Sequence, residues 1–369
     1  MGKIITCEQV FRGHPDKVCD QISDSVLDLC LSIDKNSRVA IETAIKNNDV
    51  YIIGELTTKA VVDFEKIARK VLKRIGYTEK FNYHINVTKQ SPDIALGVDK
   101  DGAGDQGMMY GYATDETPER MPYPFVVASK ISASLLNAFN DHPHIFGPDG
   151  KCEVACEYDK SGKPVKVKTV VVSAQTRKGL FAVAKNYIVS AVKEHVSNFN
   201  EINLLINPTG AFEVGGPYAD SGLTGRKIIC DTYGGVAHHG GGAFSGKDPS
   251  KVDRSGAYYC RFVAKTLVDA GFCKRCEVGV AYSIGVAEPV SISVDSFGTG
   301  IVSDEELSKI VKENFDFKPA SIKHELKLLY TKYQDTAYFG HFGRTDLNLP
   351  WEYTNAKAQE ISKAYAKTK

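Results

Sequence analysis

RVAIETAIKNNDVYIIGELTT, Arg38 to Thr58, is the stretch that decides the fold class. Arg38 to Ile45 alternates apolar with polar, Asn47-Asn48-Asp49 supplies a turn, and Val50 to Thr58 continues apolar, so the stretch reads as a β-hairpin. Working outward, Lys3 to Cys7 reads as a short strand. His14-Pro15 then opens a helix in which Val18, Ile22, Val26, Leu29 and Ile33 recur every three or four residues. After the hairpin, Phe64, Ile67, Ala68, Val71, Leu72 and Ile75 form a helical stripe that stops at Gly76, and Phe81 to Thr88 returns to strand. The unit is β-α-β-β-α-β.

The same order recurs twice without evident residue identity. Met108 to Ala113, Phe125 to Phe139, Cys152 to Tyr158, Pro164 to Ala174, Leu180 to Val196 and Ile202 to Ile206 give a second pass. A third starts with a strand at Lys227 to Cys230 and a helix from Val252 to Ala270. It continues with strands at Glu277 to Ser283 and Pro289 to Asp295 and a helix from Asp304 to Phe315. A hairpin inside each unit disfavours a doubly wound parallel sheet, where strands and helices alternate one for one, and favours an α+β protein of three similar units. The Gly/Asp-rich stretches Ser91 to Gly107 and Asn207 to Gly225 separate the units, which gives domains 1–92, 101–214 and 215–352.

The 369 residues carry 46 Lys+Arg against 45 Asp+Glu, a balance that argues against a protein built to grip nucleic acid by releasing its counterions. No apolar run approaches the ~20 residues of a membrane-spanning helix, and the first residues lack a signal core, so a cytoplasmic protein is expected. The nine cysteines include one CxxC, Cys273 and Cys276, with no second pair or nearby histidine to make a zinc site.

Chemistry gathers in three glycine-bearing stretches. Gly241 to Lys247 satisfies GxxxxGK, but Asp248 stands where a P-loop needs a hydroxyl for magnesium. The ingredients of an anion site remain: glycines that let backbone N–H groups approach, and a lysine. Arg226-Lys227 before the loop, and Lys247, Lys251 and Arg254 among Asp248 and Asp253, suit a polyphosphate with bound Mg²⁺ as well as they suit an ordinary solvated helix start. Gly13-His14-Pro15-Asp16-Lys17 places an imidazole, a carboxylate and an ammonium at a helix N-terminus. Gly102 to Gly107 carries Asp105. Glu42 and Glu55 lie in the hairpin strands; they either face solvent or, if buried, need a cation or donors.

Taken together, GHPDK at Gly13 to Lys17, GAGDQGMMYGY at Gly102 to Tyr112 and GGGAFSGKD at Gly240 to Asp248 resemble the S-adenosylmethionine synthetase (methionine adenosyltransferase) family. INPTGAFEVGGP at Ile206 to Pro217, SGLTGRKII at Ser221 to Ile229 and KDPSKVDRS at Lys247 to Ser255 are similar to it as well, so the likeness runs from Glu8 to Trp351. The resemblance implies three α+β domains about a pseudo-threefold axis, in a homo-oligomer that is a dimer of dimers with active sites between subunits. It implies that ATP and L-methionine are the substrates. The methionine sulfur attacks ribose C5′, tripolyphosphate leaves, and it is then hydrolysed to pyrophosphate and phosphate. Two Mg²⁺ per site and K⁺ are the implied ions.

By matching motifs, Asp16 and Asp253 are the implied magnesium acids and Glu42 the potassium carboxylate. His14 donates to charge developing at the leaving oxygen, and Lys17, Lys247 and Lys251 contact phosphates. Arg226 assists tripolyphosphate cleavage with Lys227 beside it. Glu55, Gln90 and Asp105 resemble the methionine pocket, Phe212 and Ile284 bracket adenine, Asp220 is a further site acid, and Lys163 approaches the nucleotide. Three departures stand out: Phe11-Arg12 replaces the small polar and acidic pair before GHPDK, the Asp93 to Gly104 gate is short, and Thr176 replaces a histidine. If Phe11, Arg12 and the short gate block closure, the alternative is a catalytically silent nucleotide-binding regulatory protein.

Overall fold

The computed structural model describes residues 2–89 and 102–366. Its first unit comprises β1 (Lys3–Val10), α1 (Pro15–Ile33), β2 (Arg38–Lys46), β3 (Asp49–Thr57), α2 (Phe64–Ile75) and β4 (Asn82–Thr88). The hairpin closes with Lys46 opposite Asp49, and Asn47 takes φ 50°, a left-handed conformation that asparagine tolerates. Helix α2 starts where Asp63 accepts the N–H of Lys66 at 2.9 Å and ends at Gly76, φ 113°, burying Ala68, Val71, Leu72 and Ile75 along one stripe. That crossover brings β4 back parallel to β3.

The second unit repeats the order with β5 (Gly107–Thr114), a helix Tyr123–Asp141, β6 (Phe146–Tyr158), β7 (Pro164–Thr176), a helix Phe181–His195 and β8 (Asn203–Ile206), the last again parallel to its neighbour. The third runs β9 (Gly222–Leu223), a short helix Ile228–Asp231, a helix Val252–Asp269, β10 (Arg275–Tyr282), β11 (Ser291–Asp295) and a helix Asp304–Asn314. The expected opening strand at Lys227 to Cys230 is therefore corrected: this segment is helical, and the strand is the two residues Gly222 and Leu223. Alternation over so few residues carries no period to read.

Each unit lends its first strand to another unit's sheet. The sheets are ordered β4-β3-β2-β9, β1-β6-β7-β8 and β11-β10-β5. Thus β1 joins the second unit's sheet, β5 the third's, and β9 the first's, in a closed cycle. Helices cover one face of each sheet, and Val39, Ile41, Thr43 and Ile45 of β2 are buried beneath α1. The other faces expose Ile4, Tyr51, Ile53, Met108 and Leu205 at 38–56%. No helix among the described residues is long and apolar enough to cross a membrane.

Candidate active site

The strand exchange decides where the charged motifs meet. Strand β9 pairs with Ala44 and Ile45 of β2, while Lys247 bridges Ala40 further along the same edge. Two segments of the third unit therefore lie end to end on one strand of the first, with α1 against both. Gly222 is required here, because a Cβ would meet the carbonyl oxygen of Pro15 at 2.2 Å.

Helix α1 binds these segments through aspartates spaced four residues apart, one buried face of the helix. Asp16 accepts the N–H of Leu223 at 2.9 Å, Asp20 that of Gly225 at 2.9 Å, and Asp24 that of Gly246 at 2.8 Å. Asp28 accepts the N–H groups of Tyr333 at 2.8 Å and Gln334 at 3.0 Å. Three of the four also hold a cation. Asp16 lies 2.6 Å from Lys227 Nζ and 3.8 Å from Arg226 Nε, Asp20 lies 3.0 Å from Lys17 Nζ, and Asp24 makes a two-pronged pair with Arg254. Burial pushes the Asp16 carboxyl up, yet Lys227 and the Leu223 N–H outweigh it and hold it below the usual range. Asp28 has no such cation, and burial lifts it to about 6 against its two backbone donors.

At the helix entrance, His14 Nδ1 accepts the N–H of Asp16 at 3.2 Å, which leaves Nε2 as the ring's donor. Burial, reinforced by the Lys227 charge, lowers its pKa to about 3, so the imidazole is neutral at pH 7. Tyr77 fixes the preceding turn by donating to the Gly13 carbonyl at 2.6 Å. Asp220, exposed, caps its own turn through the Ser221 N–H at 2.8 Å and acts electrostatically on His14.

About 12 Å along the helix, eight residues at 1.5 Å each, a second group forms around Gly246. Lys247 Nζ lies 2.7 Å from Asp253 Oδ2, both partly exposed, and Lys251 pairs with Asp248. Asp248 is not a substitute P-loop hydroxyl. It is buried, accepts the Val39 N–H at 2.7 Å and so nails the loop to β2. Asp253 stands in the first turn of the helix Val252–Asp269, and a Cβ on Gly242 would meet its Oδ1 at 2.2 Å, so the glycine loop wraps that carboxylate.

The Gly102 to Gly107 stretch arrives at the same place. Ala103 exchanges hydrogen bonds with Gly285 and Val286 and so lies beside Ile284, two residues before Asp105, and Gly240 packs on the Met108 carbonyl. Phe212 is held at the end of β7 by its carbonyl, which accepts the Thr176 N–H at 2.8 Å. The structure places Phe212 and Ile284 at the ends of different sheets.

Several expected roles are not matched by position in this chain. Lys17 is fully buried, its ammonium enclosed by Asp20 and Asp231, which puts it beneath the helix entrance. Lys163 sits at the tip of the β6–β7 hairpin, next to Tyr158, which pairs with Lys3. His14 follows the opposite end of β1, roughly 23 Å away for seven residues of strand. A lysine whose charge does act on His14 is Lys151, opposite Val10, with its Nζ 3.8 Å from Glu8 Oε2. Sequence reasoning missed it; the signal was a lysine in Gly147-Pro-Asp-Gly-Lys151, a stretch whose carbonyls bind Phe11 and Gly13. Glu42 is exposed and Glu55 half-buried, both on the uncovered sheet face. Gln90, and the gate from Asp93 to Asp101, lie outside the described residues.

Phe11 is buried against Gly150, and Arg12 turns away to donate to the Arg74 carbonyl at 3.0 Å. Thr176 is buried at the end of β7.

Among the described residues no three His, Cys, Asp or Glu side chains gather as a metal cage. Two separated carboxylates, Asp16 and Asp253, each beside a lysine, do fit a magnesium ion that takes most of its oxygens from phosphates and water. Family models for the N-terminal, central and C-terminal domains of S-adenosylmethionine synthetase match residues 2–96, 100–212 and 214–353. An S-adenosylmethionine synthase of Desulforudis audaxviator (strain MP104C) is 48% identical over 390 aligned residues, covering 98% of this chain and 98% of that protein.

Proposed function

This chain belongs to the S-adenosylmethionine synthetase family and is a methionine adenosyltransferase, and from that premise we propose how its residues divide the work. The methionine sulfur attacks ribose C5′ of ATP, and the C5′–oxygen bond breaks with its electron pair going to tripolyphosphate, which is then hydrolysed to pyrophosphate and phosphate. A thioether carries no proton to remove, so the first step needs no general base. Alignment of sulfur, carbon and oxygen, and neutralisation of the leaving chain, supply the acceleration.

Three residues serve the leaving end directly: neutral His14 donates from Nε2 to the departing oxygen, with Lys151 and Lys227 flanking it. Lys247 and Lys251 take the far phosphates, and Arg226, half-exposed, serves tripolyphosphate cleavage. Asp16 and Asp253 hold divalent ions by releasing their lysine partners to the phosphates. Bound Mg²⁺ supplies further charge neutralisation at the phosphate oxygens, and K⁺ would lie at Glu42. Asp105 and Glu55 receive methionine, Phe212 and Ile284 border adenine, and Asp220 tunes the His14 field.

Phe212 and Ile284 lie at the ends of separate sheets, and Glu42 and Glu55 point from an uncovered sheet face that also shows Tyr51 and Ile53. Both features support an oligomer whose active sites form between subunits, a dimer of dimers. The buried Phe11 and the diverted Arg12 count against a silent nucleotide-binding protein. A cytoplasmic setting goes with these substrates.

The observation that carries the reading is the docking of two segments along one edge of β2, one leading to Lys227 and one carrying Lys247, each lysine with its own carboxylate. Incubation with ATP, methionine, Mg²⁺ and K⁺, with products resolved by mass, is the test. S-adenosylmethionine, pyrophosphate and phosphate in equal amounts support it; ATP cleavage without adenosyl transfer rejects it.

A further inference from the structure

We propose that the buried pair Asp24–Arg254 is a positioning device that sets the backbone of Lys247 for the polyphosphate, an inference that rests on the adenosyltransferase reading. Both side chains are wholly buried and meet through two bonds, 2.7 and 2.8 Å. Neither is spent on the pair alone. Asp24 Oδ1 also accepts the N–H of Gly246 at 2.8 Å, and Arg254 Nη1 also donates to the carbonyl of Lys247 at 3.1 Å. One ion pair thus grips the peptide unit on each side of the Gly246–Lys247 junction.

On the opposite side, the Ile41 N–H donates to the Gly246 carbonyl at 3.0 Å, and Gly246 takes φ 81° with no room for a Cβ, which would strike the Ile41 carbonyl oxygen at 1.9 Å. The backbone is clamped between α1 and β2, while the Lys247 side chain, about a quarter exposed, keeps freedom to leave Asp253 for a phosphate. A flexible lysine on a fixed root reaches one place at little entropic loss.

The clamp is itself braced. Arg254 Nε donates to Tyr258 Oη at 2.9 Å, its guanidinium lies 4.2 Å from the Tyr333 ring centroid, and Tyr258 stacks on Trp351 at 3.9 Å while its hydroxyl reaches His341 Nδ1 at 2.8 Å. Lysine in place of Arg254 keeps the charge but has one nitrogen, so it cannot hold both Asp24 oxygens and the Lys247 carbonyl.

The test compares full-length wild type with Arg254→Lys and Tyr258→Phe, measuring hydrolysis of added tripolyphosphate, the tripolyphosphate concentration that half-inhibits the adenosyl step, methionine KM, and the thermal midpoint. The expected result for Arg254→Lys is a loss of tripolyphosphate affinity and turnover of about tenfold or more, with methionine KM within about twofold. Tyr258→Phe, which removes one brace and keeps the ring, shows the same selectivity with a smaller loss. Equal decline of all constants, or unchanged tripolyphosphate constants in a folded variant, overturns the proposal. If Arg254→Lys does not fold, Tyr258→Phe decides alone: a selective loss supports the clamp and wild-type kinetics overturn it. A wild type that makes no S-adenosylmethionine would instead sink the adenosyltransferase reading.

Discussion

Asp16 and Asp24 lie two turns apart on one buried face of α1, and each accepts a backbone N–H from a different segment of the third unit, Leu223 and Gly246. Lys227 and Lys247, twenty positions apart in sequence, follow those two anchors. The anchors are carboxylates, so the same helix that locates the cations also keeps them charged.

The Lys247–Asp253 pair should matter to chemistry far more than to folding. Its groups are partly exposed, so breaking it costs the protein only ~0–1 kcal/mol. Lys247→Ala and Asp253→Asn are each expected to cut product formation by about a hundredfold or more. The thermal midpoint of either variant should stay close to wild type. Product yield by mass and a calorimetric melt read both quantities, and full activity in either variant removes that residue from the site.

His14 should never carry charge in the working range. Its folded pKa of about 3 lies below the ordinary histidine value, and the neutral ring prevails at every pH above it. Nitrogen NMR of labelled imidazole is expected to show a bare Nδ1 and a protonated Nε2 unchanged from pH 8 to pH 5. A titration near the ordinary value would contradict the assigned role of a neutral donor. His14→Ala is expected to lose about a hundredfold in turnover, as for removal of one preorganised donor.

Lys151 and Lys163 give a direct contrast within one hairpin. Lys151→Ala should lower turnover by about tenfold or more, because its charge acts beside His14. Lys163→Ala should leave turnover within about twofold for a site formed from these residues of the chain. The opposite ranking would return the nucleotide contact to Lys163.

Asp28 predicts a pH dependence of stability. Its folded pKa, about 6, is raised above the ordinary carboxyl value by burial. Protonation therefore stabilises the folded state fully below that ordinary value, and the contribution is lost as pH rises through about 6. At ~1.4 kcal/mol per pH unit, the effect amounts to up to ~3 kcal/mol. Denaturant melts of wild type and Asp28→Asn should show the wild type losing stability from pH 5 to pH 7 relative to the variant. Parallel curves would mean that Asp28 ionises normally.

The hairpin from Arg38 to Thr58, the α2 stripe and the glycine loop were all legible in the sequence because each follows from local period or local sterics. Partners were not. The sequence marks Lys3 to Cys7 as a short strand but says nothing of its lying beside β6, with Lys3 opposite Tyr158, and the strand exchange stays invisible. The two-residue β9 is too short to show any period, and the apolar run Ile228–Ile229 drew the strand to the wrong place. Motif order pointed to His14, Asp16, Lys247 and Asp253, which lie in the two groups along α1. It named Lys17 among the phosphate contacts because GHPDK puts it beside Asp16; the helix turns this lysine inward, onto Asp20 and Asp231. The aspartate spacing in α1 was present in the sequence as well; read as helix polarity alone, it conceals four anchors for another unit's backbone.

A crystal structure with a slowly hydrolysed ATP analogue, methionine and Mg²⁺ tests the central claim most directly. The account predicts the phosphate chain lying along the β2 edge, between Lys227 and Lys247, with Asp16 and Asp253 on metal. A phosphate chain directed away from both lysines, with Asp16 still bound to Lys227 and Asp253 to Lys247, would contradict it.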